Sequence, residues 1–213
     1  MNNGFEGIPT TTIAELLGSE QVMDIGIRPL WEGARLAGPA FTVRCTPNDN
    51  LALHAAIYRA EPGSVIVVES GDLEHALAGG NVCAIAQRRG VAGFVLDGVI
   101  RDIGEIRELG FPVFGLGLVP NPAGKSAASP FNQPVTCGAV TVHAGDMISA
   151  DEDGVTVIPK AQAESVLAHA RAILAKEAAE SLDDWERAHR AKVEKLLADN
   201  GFEEVEDKIE DSA

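Results

Sequence analysis

An aspartate next to an arginine, just past the carboxyl end of a buried strand, can bring a hard cation and a small anion together. The stretch Asp97-Gly98-Val99-Ile100-Arg101-Asp102 offers such a pair. Ligands in open α/β sheets bind at that edge. The Arg101 guanidinium can fork onto a carboxylate or hold an enolate oxygen. The Asp102 carboxylate suits Mg²⁺ or Mn²⁺, which keep several waters and need few protein ligands. A plainer use fits the same residues: an Arg–Asp pair capping the helix that follows, where an aspartate is favourable anyway. The segment alone leaves both readings open.

Gly79-Gly80-Asn81 is a second candidate. It precedes a helical stretch, and helix N-termini present unpaired N–H groups and a partial positive charge to anions. Two glycines by themselves more often make a tight turn with no ligand. The two candidates reinforce each other, because each sits where a strand gives way to a helix. If those strands are neighbours, backbone donors, a guanidinium and a carboxylate surround one small anion.

The elements that must position these residues follow from pattern and punctuation. Thr10–Leu17 reads as a short helix with a threonine cap, and residues 24–39 as irregular. Strands are expected at 40–45, 65–69, 92–97 and 112–115. Helices are expected at 49–60, capped by Asn48 or Asp49, and at 79–89 and 102–109. This β-α-β order favours a parallel sheet with right-handed crossovers. Residues 117–134 hold four prolines and read as a long loop. Residues 135–159 suggest a second small sheet, and 160–199 a helix broken near Ser181–Asp184. The stretch 203–211 holds six acids and reads as a frayed or disordered tail.

Other signals weaken on inspection. Gly124-Lys125-Ser126 resembles the end of a phosphate-binding loop, but Val119 stands where that motif needs glycine; Lys125 can still line a pocket mouth. The five histidines suggest no cluster, and no serine lies in a nucleophile-elbow frame. Cys45, Cys83 and Cys137 lie far apart and read as reduced core thiols. The net charge of −15 disfavours nucleic acid as a partner. No apolar run is long enough to span a bilayer, and the first residues lack a signal-peptide pattern, so the cytosol is expected.

The residues Gly79-Gly80-Asn81, Val95–Glu105 and Gly110–Phe114 together resemble the RraA-like family. The spacing of Gly80, then twenty residues, then Arg101-Asp102, then two residues and Glu105 is part of that likeness. Further matches are Gly38–Val43, Gly145-Asp146 and Ala150–Val155, so the resemblance covers about residues 8–175. The family includes 4-hydroxy-4-methyl-2-oxoglutarate aldolases, oxaloacetate decarboxylases and the regulator of ribonuclease E activity. The resemblance implies a three-layer β/β/α swivelling fold over residues 1–175, with a helical extension and acidic tail at 176–213. It implies a homotrimer or hexamer acting on a small 2-oxo acid with a divalent cation, Mg²⁺ or Mn²⁺. It makes Asp102 the metal ligand and Arg101 the residue on the pyruvyl oxygens. Gly79, Gly80, Asn81 and Val82 become the substrate cradle, and Glu105 a supporting acid. Some family aldolases carry an acidic residue where this chain has Gly80-Asn81, which bears on aldol specificity. The alternative within the family is a protein-binding regulator without catalysis. A methyltransferase, as some older family names suggest, lacks its Gly-rich cofactor loop here.

Overall fold

A computed structural model describes residues 4–202. In chain order the elements begin with α1 (Thr10–Ala14), β1 (Arg28–Pro29), β2 (Leu36–Arg44), α2 (Leu51–Ala56) and β3 (Val65–Glu69). Next come α3 (Gly80–Arg88), β4 (Gly93–Asp97), β5 (Val99–Ile100), α4 (Ile103–Leu109), β6 (Val113–Gly115) and β7 (Gly117–Leu118). Then follow β8 (Val135–Cys137), β9 (Val140–Val142), β10 (Met147–Asp151), β11 (Gly154–Ile158), α5 (Ala163–Ala179) and α6 (Leu182–Asp199).

The seven-stranded main sheet has the order β1-β6-β4-β3-β2-β10-β11. Strands β2, β3, β4 and β6 run parallel, and β1, β10 and β11 are antiparallel to their neighbours. The Val65–Val68 and Gly93–Leu96 segments are buried throughout. Such continuous apolar runs are what a parallel sheet covered on both faces needs. On one face, Cys83 and Ala86 of α3 and Ile106 of α4 join Ile66, Val68, Phe94 and Leu96 in one core. Phe94 meets Phe111 edge-on, with ring centroids 4.9 Å apart, a geometry worth about 1 kcal/mol beyond area burial. On the other face the β8–β9 hairpin packs Val135, Cys137, Val140 and Val142 against Val65, Val67, Val95 and Phe114. Its turn residues Gly138 and Ala139 both have positive φ, as a tight two-residue hairpin turn requires. Hairpin, sheet and helices are the three layers of the expected β/β/α fold.

Three expectations need correction. Residues 24–39 are not wholly irregular: β1 lies within them and β2 starts at Leu36. Within residues 135–159, β8 and β9 form a small sheet of their own, while β10 and β11 join the main one, because β10 pairs with β2. The caps also differ. The N-cap of α1 is Pro9, and the Thr10 hydroxyl donates instead to Asp151 Oδ1. Asn50 stands at the N-cap of α2, while Asp49 Oδ1 accepts from the Leu51 amide at 2.9 Å.

The chain forms two compact units, one ending at Arg171 and one starting at Ala172. In the second unit, the break before α6 falls at Ser181, whose hydroxyl accepts from the Asp184 amide. Among the described residues, no helix is long and apolar enough to cross a membrane. The acidic stretch 203–211 lies outside the described residues.

Candidate active site

The parallel strands β2, β3 and β4 send their following loops to one sheet edge. Residues 45–50 follow β2, 70–79 follow β3, and 98–102 follow β4. The loops are tied together: the Leu77 amide donates to the Val99 carbonyl at 2.9 Å, and the Arg101 amide to the Ala78 carbonyl at 3.0 Å. A pocket of about 80 Å³ opens there, lined in part by Gly79, Asn81, Val82, Arg101 and Asp102.

Asp102 occupies the first position before α4 in a left-handed conformation, φ 60° and ψ 38°, which aspartate and asparagine tolerate best after glycine. It makes no side-chain cap on its own helix. Its Oδ2 instead accepts from the Gly80 amide at 3.2 Å, at the start of α3. The Arg101 Nε lies 3.5 Å from the same oxygen, and the two side chains are 42% and 40% exposed. The Arg–Asp pair of the plainer reading is present at the N-cap of α4, but its carboxylate accepts from the start of α3 instead of capping its own helix.

The two glycines leave room for different side chains. A Cβ on Gly79 would collide with Asp102 Oδ2 and crowd the Arg101 side chain, and one on Gly80 would collide with Glu105 Oε2. Glu105, in the first turn of α4, thus lies against the start of α3 without lining the pocket. The Val82 and Cys83 amides both donate to the Gly79 carbonyl at 3.1 Å, closing the first turn of α3. The Gly80 amide is held by Asp102, so the amide available to an anion in this turn is that of Asn81.

Three further residues with polar side chains line the pocket: Asn50, His54 and Lys125. Lys125 lines it as the sequence allowed. Asn50 and His54 escaped the reading of the sequence, in which the histidines are scattered. Their spacing of four puts both on one side of a helix start beyond β2, which is the signal that could have found them. Burial, then the nearby Lys125 charge, holds His54 below its ordinary pKa, so its imidazole is neutral at pH 7.

The segment carrying Lys125 is fastened on two sides. The Ala76 amide donates to Asn121 O at 2.7 Å, the Asn50 amide to Gly124 O at 3.0 Å, and the Gly124 amide to Asn48 O at 2.9 Å. Asp49, only 3% exposed, accepts from the amide and hydroxyl of Ser126 and from the Ala127 amide. Burial pushes the Asp49 carboxyl up, but these donors and the Leu51 amide outweigh it and hold it below the usual range. On the far side of the Arg101–Asp102 pair, Leu118, Val119 and Pro120 border a wider cavity of about 310 Å³.

The sequence and the fold match one family. Residues 10–157 match the RraA-like family model, described as Aldolase/RraA, and the chain belongs to that family. A relative from Halalkalibacterium halodurans, named "Putative 4-hydroxy-4-methyl-2-oxoglutarate aldolase", is 42% identical over 91% of this chain and 93% of its own length. Among solved structures, an uncharacterized protein from Pseudomonas syringae is 29% identical, with TM-score 0.74 over 83% of this chain and 84% of that one. Streptomyces coelicolor RraAS2, described as an unusual member of the RNase ES inhibitor RraA family, is 30% identical. Its TM-score is 0.69 over 89% of this chain and 96% of its own.

Proposed function

We propose that this chain is a divalent-metal-dependent carbon–carbon lyase that cleaves 2-oxo acids to pyruvate, as a 4-hydroxy-4-methyl-2-oxoglutarate aldolase, an oxaloacetate decarboxylase or both. The observation that carries this reading is the Asp102 carboxylate. It turns away from its own helix, toward the start of α3, and lines a pocket beside Arg101. The name of the Halalkalibacterium relative supports it.

The residues present fit a hard, largely hydrated cation. Among the described residues, no group of three or more His, Cys, Asp or Glu is placed to hold an ion. Asp102 is one oxygen ligand, and both its hydrogen bond and its ion pair fall on Oδ2. That donor set matches Mg²⁺ or Mn²⁺, which complete their shells with water and substrate oxygens. Bound there, the cation would act as a Lewis acid on the 2-oxo acid. Arg101 supplies a fixed positive charge where the C2 oxygen turns negative as the C3–C4 bond breaks. The Asn81 amide, at the positive end of α3, orients the substrate carboxylate, with Gly79, Gly80 and Val82 shaping the turn around it. Glu105 supports the Gly80 end of the turn. Retro-aldol cleavage and oxaloacetate decarboxylation release the same pyruvate enolate, so one site serves both.

We place the protein in the cytosol as a homotrimer or hexamer, which light scattering on the purified chain would check. The reaction itself is tested by pyruvate release from oxaloacetate and from 4-hydroxy-4-methyl-2-oxoglutarate, with EDTA and with added Mg²⁺ or Mn²⁺. Metal-restored release above the enzyme-free background is expected from either substrate; none above background from both overturns the reading. The likeness to RraAS2 favours a second reading, a protein-binding regulator of ribonuclease E. Inhibition of purified ribonuclease E by a chain that releases no pyruvate would establish it instead.

A further inference from the structure

Asn50 is 4% exposed and lines the pocket that Arg101 and Asp102 share. Its Nδ2 donates to the Leu77 carbonyl at 3.0 Å and to the Ala76 carbonyl at 3.5 Å. Those two acceptors fix which way the amide points, since a flipped side chain would set oxygen against oxygen. Oδ1 is left as the one buried side-chain polar atom without a hydrogen-bond partner among the described residues. A buried acceptor without a donor costs about 1–3 kcal/mol. The protein meets this cost in the pocket where Lys125 brings a cation and His54 a neutral imidazole.

We propose that Asn50 is a specificity residue, whose Oδ1 accepts a hydrogen bond from a hydroxyl on the bound substrate. The pocket then favours hydroxylated 2-oxo acids over counterparts of the same length and charge that lack the hydroxyl. The proposal rests on the lyase reading above. The discrimination arises because a ligand without the hydroxyl leaves the buried acceptor unpaired. Lys125 cannot supply it, because an ammonium attracts the carboxylates of both ligands equally.

The test compares 4-hydroxy-2-oxoglutarate, cleaved by the metal-loaded enzyme, with 2-oxoglutarate, which has the same carboxylates and no hydroxyl. In the wild-type protein the Ki of 2-oxoglutarate as a competitive inhibitor should be at least tenfold above the KM of the hydroxylated substrate. A Ki equal to or below that KM overturns the proposal and leaves the lyase reading standing. No cleavage of any 2-oxo acid overturns the lyase reading, and the proposal with it. In Asn50→Ala, kcat/KM for 4-hydroxy-2-oxoglutarate should fall at least tenfold more than kcat/KM for oxaloacetate, mostly through KM. Equal losses would mean that Asn50 only braces the Ala76–Leu77 turn, and would overturn the proposal. Asn50→Asp separates bracing from recognition. Its carboxylate still accepts from the hydroxyl but cannot donate to Leu77, so selectivity should return toward wild type while the melting temperature stays lowered. Selectivity as poor as in the alanine variant would count against the proposal.

Discussion

Asp102 Oδ2 and the Gly80 amide lie 3.2 Å apart, joining the starts of two different helices. Asp102 holds a left-handed backbone and makes no side-chain cap on its own helix. The carboxylate is thus held from one side, near the positive end of α3, and needs no cap of its own.

Arg101 and Asp102 should fail differently. Asp102→Asn suits the left-handed backbone but loses the charge, so Mn²⁺ affinity measured by calorimetry should fall at least tenfold. Arg101→Lys keeps the charge and loses the planar fork; turnover should drop about a hundredfold with Mn²⁺ affinity largely kept. Melting temperatures should move little in either. Unchanged turnover with a lowered melting temperature would remove both from the active site.

The two glycines should also differ. Gly79→Ala pushes on Asp102 and Arg101 together, whereas Gly80→Ala pushes on Glu105, which does not line the pocket. Pyruvate release should fall about a hundredfold or more in the first and clearly less in the second. Equal effects would show that the Gly79 contact does not set the geometry of the pair.

Asp97 predicts a pH effect on stability. Burial, then the charges of Glu69 and Asp24, raises its carboxyl above the ordinary value, and Glu69 is its direct neighbour on β3. The folded state therefore holds this proton more tightly than the unfolded one, and that contribution is lost as pH rises through the raised value. Asp97→Asn should change the melting temperature little near pH 4 and raise it increasingly toward pH 7. A stabilisation that is constant with pH would exclude the charge as its cause.

Asp49→Ala removes the acceptor for Leu51, Ser126 and Ala127. At about 1 kcal/mol per lost hydrogen bond, denaturant unfolding should show a loss of roughly 3–4 kcal/mol. The KM for 2-oxo acids should rise as Lys125 loses its place. A normal KM in a destabilised variant would remove Lys125 from substrate binding.

The core of the sheet was legible because β3 and β4 are buried on both faces and read as unbroken apolar runs. Gly79, Gly80, Arg101 and Asp102 stood out because residue type and position after a strand carry their chemistry. Pairing across long separations was not legible. Nothing local tells Met147–Asp151 to join β2 rather than β8 and β9. Asn50 was hidden for the same reason: its significance lies in the Ala76 and Leu77 carbonyls, twenty-six and twenty-seven residues away. The proline-rich stretch read only as a long loop, since its anchor, Asp49, lies far upstream.

The stitching of residues 121–127 to Ala76 on one side and to residues 48–50 on the other has a kinetic consequence. A wall built this way stands before any ligand arrives, so binding does not have to freeze a wandering segment. Encounter should then pass straight to the chemical step. Rapid-mixing traces should show one concentration-dependent binding phase, without the slower saturating phase that a closing lid would add.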